Sequence, residues 1–367
     1  MTGLGSAAGN GVLDVSARDD LGPVVRVSLR DLTDEWTVYF AGPDIDQRVD
    51  DDFLVPLALL PCMARGLDLA LPFVRSARLL SGLPRLQQTF ASWFPGFRPA
   101  TVTIATGPPT APTRVRPLRT VALFSGGVDS FYTVLTESSR IDALLFVSGF
   151  DLALGRPEEP DRDYVVDTLR AAAGRLGLPL LHIRTNVRAF SDRWLLWGDH
   201  YVGSGLATVA LMLSGVFDEL LIPATHSNRD HFPYGTHPQT DPLWSTERMR
   251  LRVHGLQTSR PAKVAEISRS TVALDTLRVC WENWGGAYNC GTCEKCQRTM
   301  LELYLASALD RCATLPHTVD LDAVAAMPVP DASRRSFVIA LLRAAERSNR
   351  PMAPAIRTAL TVALGRP

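Results

Sequence analysis

The chain has 367 residues, 46% apolar and 21% charged, with 26 glycines and 26 prolines, which excludes a disordered, collagenous or coiled-coil protein. Its length allows about two or three domains, each large enough to bury a core. Basic and acidic side chains cancel at 38 each, so nucleic acid is disfavoured as a partner and nothing draws the chain to an anionic membrane. Met1–Leu13 lacks the basic and apolar regions of a secretory signal, and no apolar stretch is long and unbroken enough to span a bilayer, so a cytoplasmic protein is expected. Only two of the basic residues are lysines, Lys263 and Lys295. A lysine that survives such an arginine bias is a candidate for work a guanidinium cannot do.

In chain order, Val24–Arg30 alternates Val25, Val27 and Leu29 with polar residues and, with Trp36–Ala41, predicts a hairpin. Helices are predicted over 51–74 and 84–93 and a strand over 101–105, giving a small α+β N-terminal domain. Residues 107–119 hold four prolines and no apolar period and read as a linker. Domains are therefore placed at 1–116 with the linker, at 117–312, and at 313–367 as a helical tail. From residue 120 the pattern becomes strand, glycine turn, helix, repeated. Strands are predicted over 120–124, 143–147, 180–183 and 219–223, and helices up to about residue 137, over 161–176 and over 203–214. This is an α/β pattern, a parallel sheet with helices on both faces, whose ligands bind at the carboxyl ends of the strands. Two helices are expected over 331–364, after a loop over 315–330.

Val121–Leu135 reads VALFSGGVDSFYTVL: an apolar strand runs into Ser125-Gly126-Gly127-Val128-Asp129-Ser130 and then into a helix. Paired glycines let the backbone bend sharply and approach an anion, a helix start offers unpaired N–H groups and a positive dipole end, and Ser125 and Ser130 add hydroxyls. The loop is expected to bind phosphate. It lacks the lysine of GxxxxGK[ST] and the spacing of GxGxxG. Asp129 beside a phosphate calls for Mg²⁺ between them.

Four of the six cysteines, Cys280, Cys290, Cys293 and Cys296, form C-x9-C-x2-C-x2-C. This is metal spacing rather than a disulfide framework. Four thiolates predict Zn²⁺ with no open position, a structural staple, with an iron–sulfur cluster and unmetallated thiols as alternatives.

SGGVDS after a strand resembles the pyrophosphate loop of the N-type ATP pyrophosphatases, the PP-loop enzymes. Cys290-Gly291-Thr292-Cys293-Glu294-Lys295-Cys296 is similar to the CGxCxxC of one branch, the 7-cyano-7-deazaguanine synthases, and Lys263-Val264-Ala265-Glu266-Ile267 resembles that branch's lysine-bearing helix start. The resemblance covers residues 119–305. It implies an adenine nucleotide alpha hydrolase-like, Rossmann-like sheet with a four-cysteine zinc loop. It also implies an ATP-dependent, AMP-forming carbon–nitrogen ligase, which adenylates a carboxylate or amide for attack by ammonia or an amine. Under it, Ser125, Gly126, Gly127, Val128, Asp129 and Ser130 hold ATP, Asp129 holds Mg²⁺, and Asp129 and Lys263 are catalytic, Lys263 by contacting phosphate. An exposed helix lysine is the plain alternative for Lys263.

The branch's tyrosine-proline-aspartate-cysteine substrate segment is missing, and Pro223–Pro238, with three histidines, stands in its place. His226, Arg229, Asp230 and His231 are the expected substrate contacts, with histidines satisfied by backbone carbonyls or a second metal as alternatives. Asp151 is a candidate for holding adenosine or an ordinary loop charge. Trp194, Trp197 and Tyr201 read as core more than as a stacking platform. The expected acceptor is a small-molecule carboxylate or a modified protein or metabolite, and a homodimer is left open. Two other readings stand beside the ligase: a PP-loop sulfur transferase, which requires Cys62 or Cys312 to be exposed with a low pKa, and an ATP-binding module without turnover.

Overall fold

The computed structural model describes residues 11–21, 23–43, 45, 51–105, 118–151, 154, 162–230 and 232–365. The chain is α/β. Its strands are β1 (Val12–Leu21), β2 (Val24–Arg30), β3 (Glu35–Ala41), β4 (Asp68–Leu71), β5 (Val102–Ile104), β6 (Thr120–Leu123), β7 (Ala143–Ser148), β8 (Leu180–Thr185), β9 (Glu219–Pro223) and β10 (Arg250–His254). Its first six helices are α1 (Leu54–Arg65), α2 (Ala77–Trp93), α3 (Val128–Glu137), α4 (Arg162–Arg175), α5 (Val187–Ser191) and α6 (Val202–Met212). The others are α7 (Arg260–Ile267), α8 (Thr271–Thr276), α9 (Glu294–Leu305), α10 (Leu321–Ala325), α11 (Ala332–Glu346) and α12 (Ala353–Gly365). No described helix is long and apolar enough to cross a membrane.

Two compact units share these elements. The first takes the described residues up to Leu118, with Ile183–Leu220 and Pro233–Arg252; the second takes Arg119–His182, Leu221–Phe232 and the chain from Val253. Two stretches that the sequence groups with the central domain thus pack with the N-terminal strands. Specific bonds hold them there: in the first stretch the Tyr201 hydroxyl donates to Leu57 O at 2.7 Å, Ser204 Oγ donates to Pro56 O at 2.6 Å, and Arg184 and Thr185 of β8 pair with Ala41 and Phe40, and in the second Glu247 Oε1 accepts the Arg78 N–H at 2.8 Å. Residues 106–117, most of the expected linker, lie outside the described residues.

In the first unit the strands run β3-β2-β1-β4-β5. The β2–β3 hairpin forms as read, antiparallel with Val27 opposite Val38. β1 was not foreseen. Only Leu13 and Val15 mark its apolar face before the polar run that follows, and a register shift falls between Val15 and Ala17. The helix expected over 51–74 stops at Arg65. Gly66 takes the left-handed conformation at φ 66°, donates its N–H to Cys62 O and releases the chain into β4, whose Leu69 and Leu71 are buried alternately. The helix expected over 84–93 begins at Ala77. Ser76 Oγ accepts the Leu79 N–H as a cap, and the buried face of Leu79, Leu83, Leu86 and Phe90 continues through Pro84. Trp194 packs edge-on to Trp36 at 5.1 Å, and Tyr201 is fully buried, so both belong to this core.

Asp241, fully buried in this unit, accepts the Thr236 hydroxyl on Oδ2, while Oδ1 has no partner. Burial pushes its carboxyl up to about 7. Between the unfolded value of 3.8 and about 7 the folded chain binds the extra proton, so this group's contribution to stability is lost as pH rises through that window. Asp241→Asn should flatten that slope in urea melts from pH 4 to 8. Parallel pH profiles for the two proteins would contradict it.

The second unit holds β6 and β7 whole, with residues 180–182 of β8, 221–223 of β9 and 253–254 of β10. β6 and β7 pair in parallel, Val121 opposite Ala143, and all six residues of β7 are buried, as continuous apolar strands require. Helices α3, α4, α7 and α8 bury Phe131, Leu169, Val264 and Leu274 in one core with Phe124 and Leu144. In the tail, α11 and α12 form as expected. The loop before them contains the short α10, and these three helices pack Val324, Leu341, Ile356 and Leu360 around Leu301 of α9.

Candidate functional site

β6 ends at the glycine loop and α3 starts from it. Gly126 has φ 74°, and a Cβ there would stand 2.6 Å from Leu169 Cδ2, so both conformation and space demand glycine. Gly127 is the cap residue of α3, and no side chain caps the helix, which leaves its first N–H groups available to an anion. Ser125 is half-buried over Gly127. Ser130 turns inward: its Oγ donates to Gly127 O at 2.9 Å, bracing the loop rather than offering its proton outward.

Asp129, in the first turn of α3, meets α7. Lys263 is 1% exposed, so the exposed-helix alternative fails, and its Nζ donates to Asp129 Oδ1 at 3.0 Å and to Ala224 O at the end of β9. Arg260 Nη1 lies 3.4 Å from Asp129 Oδ2, while its Nε and Nη2 bond Glu302 Oε2 at 3.2 Å and Thr299 Oγ1 at 3.1 Å on α9. Burial alone would push the Asp129 carboxyl up, but Lys263 and Arg260 outweigh it and hold it below the usual carboxylate range. Each carboxylate oxygen keeps a further lone pair.

Sequence reasoning missed the arginines of this cationic cluster and singled out Lys295 only by its rarity. Lys295, the other lysine, lies one turn before Thr299 on α9, and its charge reaches Asp151, Arg260, Arg298 and Asp129. Arg298 pairs with Glu294 at 2.8 Å and lies 3.9 Å over the Phe337 ring. Burial raises the Glu302 carboxyl despite Arg260 and Arg298. Four cationic side chains thus gather with four acids, Asp129, Asp151, Glu294 and Glu302, and burial biases Lys295 and Glu302 alike toward their neutral forms. The scarcity of lysine was the one available signal for Lys295.

The expected substrate segment divides. His226 is packed by Phe232 and Phe337, with ring centroids at 4.5 and 4.7 Å, and its Nε2 is 3.2 Å from Ser333 Oγ. Burial lowers its pKa to about 4, against the pull of Asp129 and Asp230, so it is neutral at pH 7. Arg229 is exposed, and Asp230 is tied to Ser227 Oγ at 2.7 Å. His231 lies outside the described residues. His237 belongs to the first unit, where it packs edge-on to Trp93 at 4.8 Å and accepts the Gln239 N–H.

The four cysteines converge, with all four Sγ atoms within 4.8 Å of one another, and they could hold a metal ion. A tetrahedral ion with metal–sulfur bonds of about 2.3 Å requires sulfurs roughly 3.8 Å apart. The separations of Cys280–Cys290, Cys280–Cys293 and Cys290–Cys296 are 3.5, 3.8 and 3.9 Å. Backbone N–H groups of Asn283 and Cys293 donate to Cys280 and Cys290 sulfurs, and Asn289 braces the loop by accepting the Val279 and Cys280 N–H groups. Cys293 is the cap residue of α9, so this centre sets where Lys295, Arg298 and Glu302 stand. No protein-family model, curated protein or solved structure matches the chain.

Proposed function

We propose that this chain is an ATP-dependent, AMP-forming ligase of the N-type ATP pyrophosphatase kind, similar to the 7-cyano-7-deazaguanine synthases. It adenylates a carboxylate or amide oxygen, releases pyrophosphate and lets ammonia or an amine displace AMP. One observation carries this reading: a left-handed glycine turn and an uncapped helix start stand beside a buried lysine bonded to the first-turn aspartate. In it, Ser125 and the backbone of Gly126, Gly127 and Val128 cradle phosphate, and Ser130 holds the loop in shape. Asp129 orients Lys263 and binds Mg²⁺, which when present neutralises phosphate charge. Lys263 meets the charge that develops on departing pyrophosphate. The cysteine centre holds Zn²⁺ as a staple, since four thiolates leave no position open for chemistry.

Sulfur transfer is the weaker reading. Cys62 is fully buried, with burial pushing its thiol up to about 12, and Cys312 is also fully buried, the opposite of what a sulfur relay needs. Reversible adenylation makes the ligase testable. With ATP, Mg²⁺ and 7-carboxy-7-deazaguanine or a fractionated pool of metabolite carboxylates, labelled pyrophosphate should enter ATP. Labelling that no acceptor fraction supports would contradict adenylation.

A further inference from the structure

Three arginines are nine-tenths or more buried among the described residues: Arg260, Arg278 and Arg298. Arg260 has the Glu302 carboxylate and Arg298 has that of Glu294. Arg278 has none. Its side chain is buried at 4% exposure, and neither Nε nor Nη2 has a hydrogen-bond partner. These two atoms form one edge of the guanidinium, the fork that grips two oxygens of a single carboxylate or phosphate. A buried fork with no acceptor is a cost to the fold that an anionic partner would offset.

Its position names that partner. The Arg278 backbone N–H donates to Gly126 O at 2.8 Å, its Cβ stands 3.5 Å from where a Cβ on Gly126 would be, and its carbonyl oxygen lies equally close to the corresponding point on Gly127. The side chain therefore springs from the backing of the glycine loop, next to the uncapped start of α3. We propose that Arg278 is a further binding residue of this site, its Nε–Nη2 edge receiving a phosphate oxyanion of the ligand held along the glycine loop. This rests on the phosphate-binding function proposed above and adds to it a charged contact from the segment leading into Cys280.

Calorimetry on the full chain tests it, with pyrophosphate as the probe and succinate as a carboxylate control. Arg278→Met should weaken pyrophosphate binding about 10- to 100-fold. Its ligand-free melting temperature should not fall, because the guanidinium edge satisfies nothing in the fold itself. Arg278→Lys, which keeps the charge and loses the fork, should bind more weakly than the unaltered chain, and it serves as the test if the methionine variant does not fold. Unchanged pyrophosphate affinity in these variants, a drop in ligand-free stability at constant affinity, or a loss confined to succinate would overturn the proposal. Failure of the unaltered chain to bind pyrophosphate would instead remove the phosphate site itself, and this proposal with it.

Discussion

Lys263→Met should reduce ATP-dependent turnover by about a thousandfold or more while leaving a folded protein. The ammonium is buried and bonded to Asp129 and to Ala224 O, and in the function proposed above it meets the charge on a departing phosphate. Removing one preorganised charge from such a site typically costs about two to three orders of magnitude, and a full unit charge stands at the upper end. The structural penalty is smaller. Asp129 keeps Arg260 and partial solvent access at 19% exposure, so about 1–3 kcal/mol of stability is at stake. Because the Asp129 pKa is lowered in the fold, its ion pair stabilises above the unfolded value of 3.8 and is lost as pH falls through the lower folded value. The stability gap between Lys263→Met and the unaltered chain should therefore narrow in acid. Steady-state rates and urea melts of Lys263→Met, Asp129→Asn and the double variant check both parts. If the two residues act as one unit, the double variant loses little more than the worse single one, and fully multiplicative losses would separate them.

Cys290→Ser should strip the metal and destabilise the second unit by on the order of 5–10 kcal/mol, since binding to a structural thiolate site is folding free energy. It should also abolish nucleotide binding, because α9, which begins at Cys293, supplies Lys295, Arg298 and Glu302 to the cluster around Asp129. Without metal the sulfurs share protons: hydrogen bonds from Cys293 and Cys296 lower the Cys280 thiol, while the Cys280 bond pushes Cys293 up to about 12. Metal uptake must displace those protons, so apparent affinity should fall as pH is lowered. Elemental analysis should find one metal per chain, lost in Cys290→Ser together with the second unit's melting transition. An unaltered melt would show that the cysteines are not the staple.

The parts of this protein that were legible in its sequence are those in which local pattern and tertiary role agree. The glycine turn after β6 was readable because two adjacent glycines between an apolar strand and a helix have few other uses. The four cysteines were readable because their spacing closes a tetrahedron within a short stretch. Lys263 stood out only because arginine fills nearly every other cationic position. What stayed hidden depends on distant packing. β4 was masked by the apolar run of α1 until Gly66 turned left-handed, and β1 by its polar second half. Arg260, Arg278 and Arg298 look like any other arginine until the fold buries them. His237 has a ring-packing role in the first unit, and His226 is held neutral among phenylalanines, neither of which spacing could express.

The fate of ATP distinguishes a ligase from a chain that only binds nucleotide. The purified chain would be incubated with Mg²⁺, ammonia, ATP and either 7-carboxy-7-deazaguanine or an extract of cell metabolites, and the products would be resolved as AMP, ADP, pyrophosphate and phosphate. Cleavage between the α- and β-phosphates predicts AMP and pyrophosphate in equal amounts, dependent on acceptor and absent with Lys263→Met. ADP and phosphate, or ATP left intact with every acceptor fraction, would contradict the ligase.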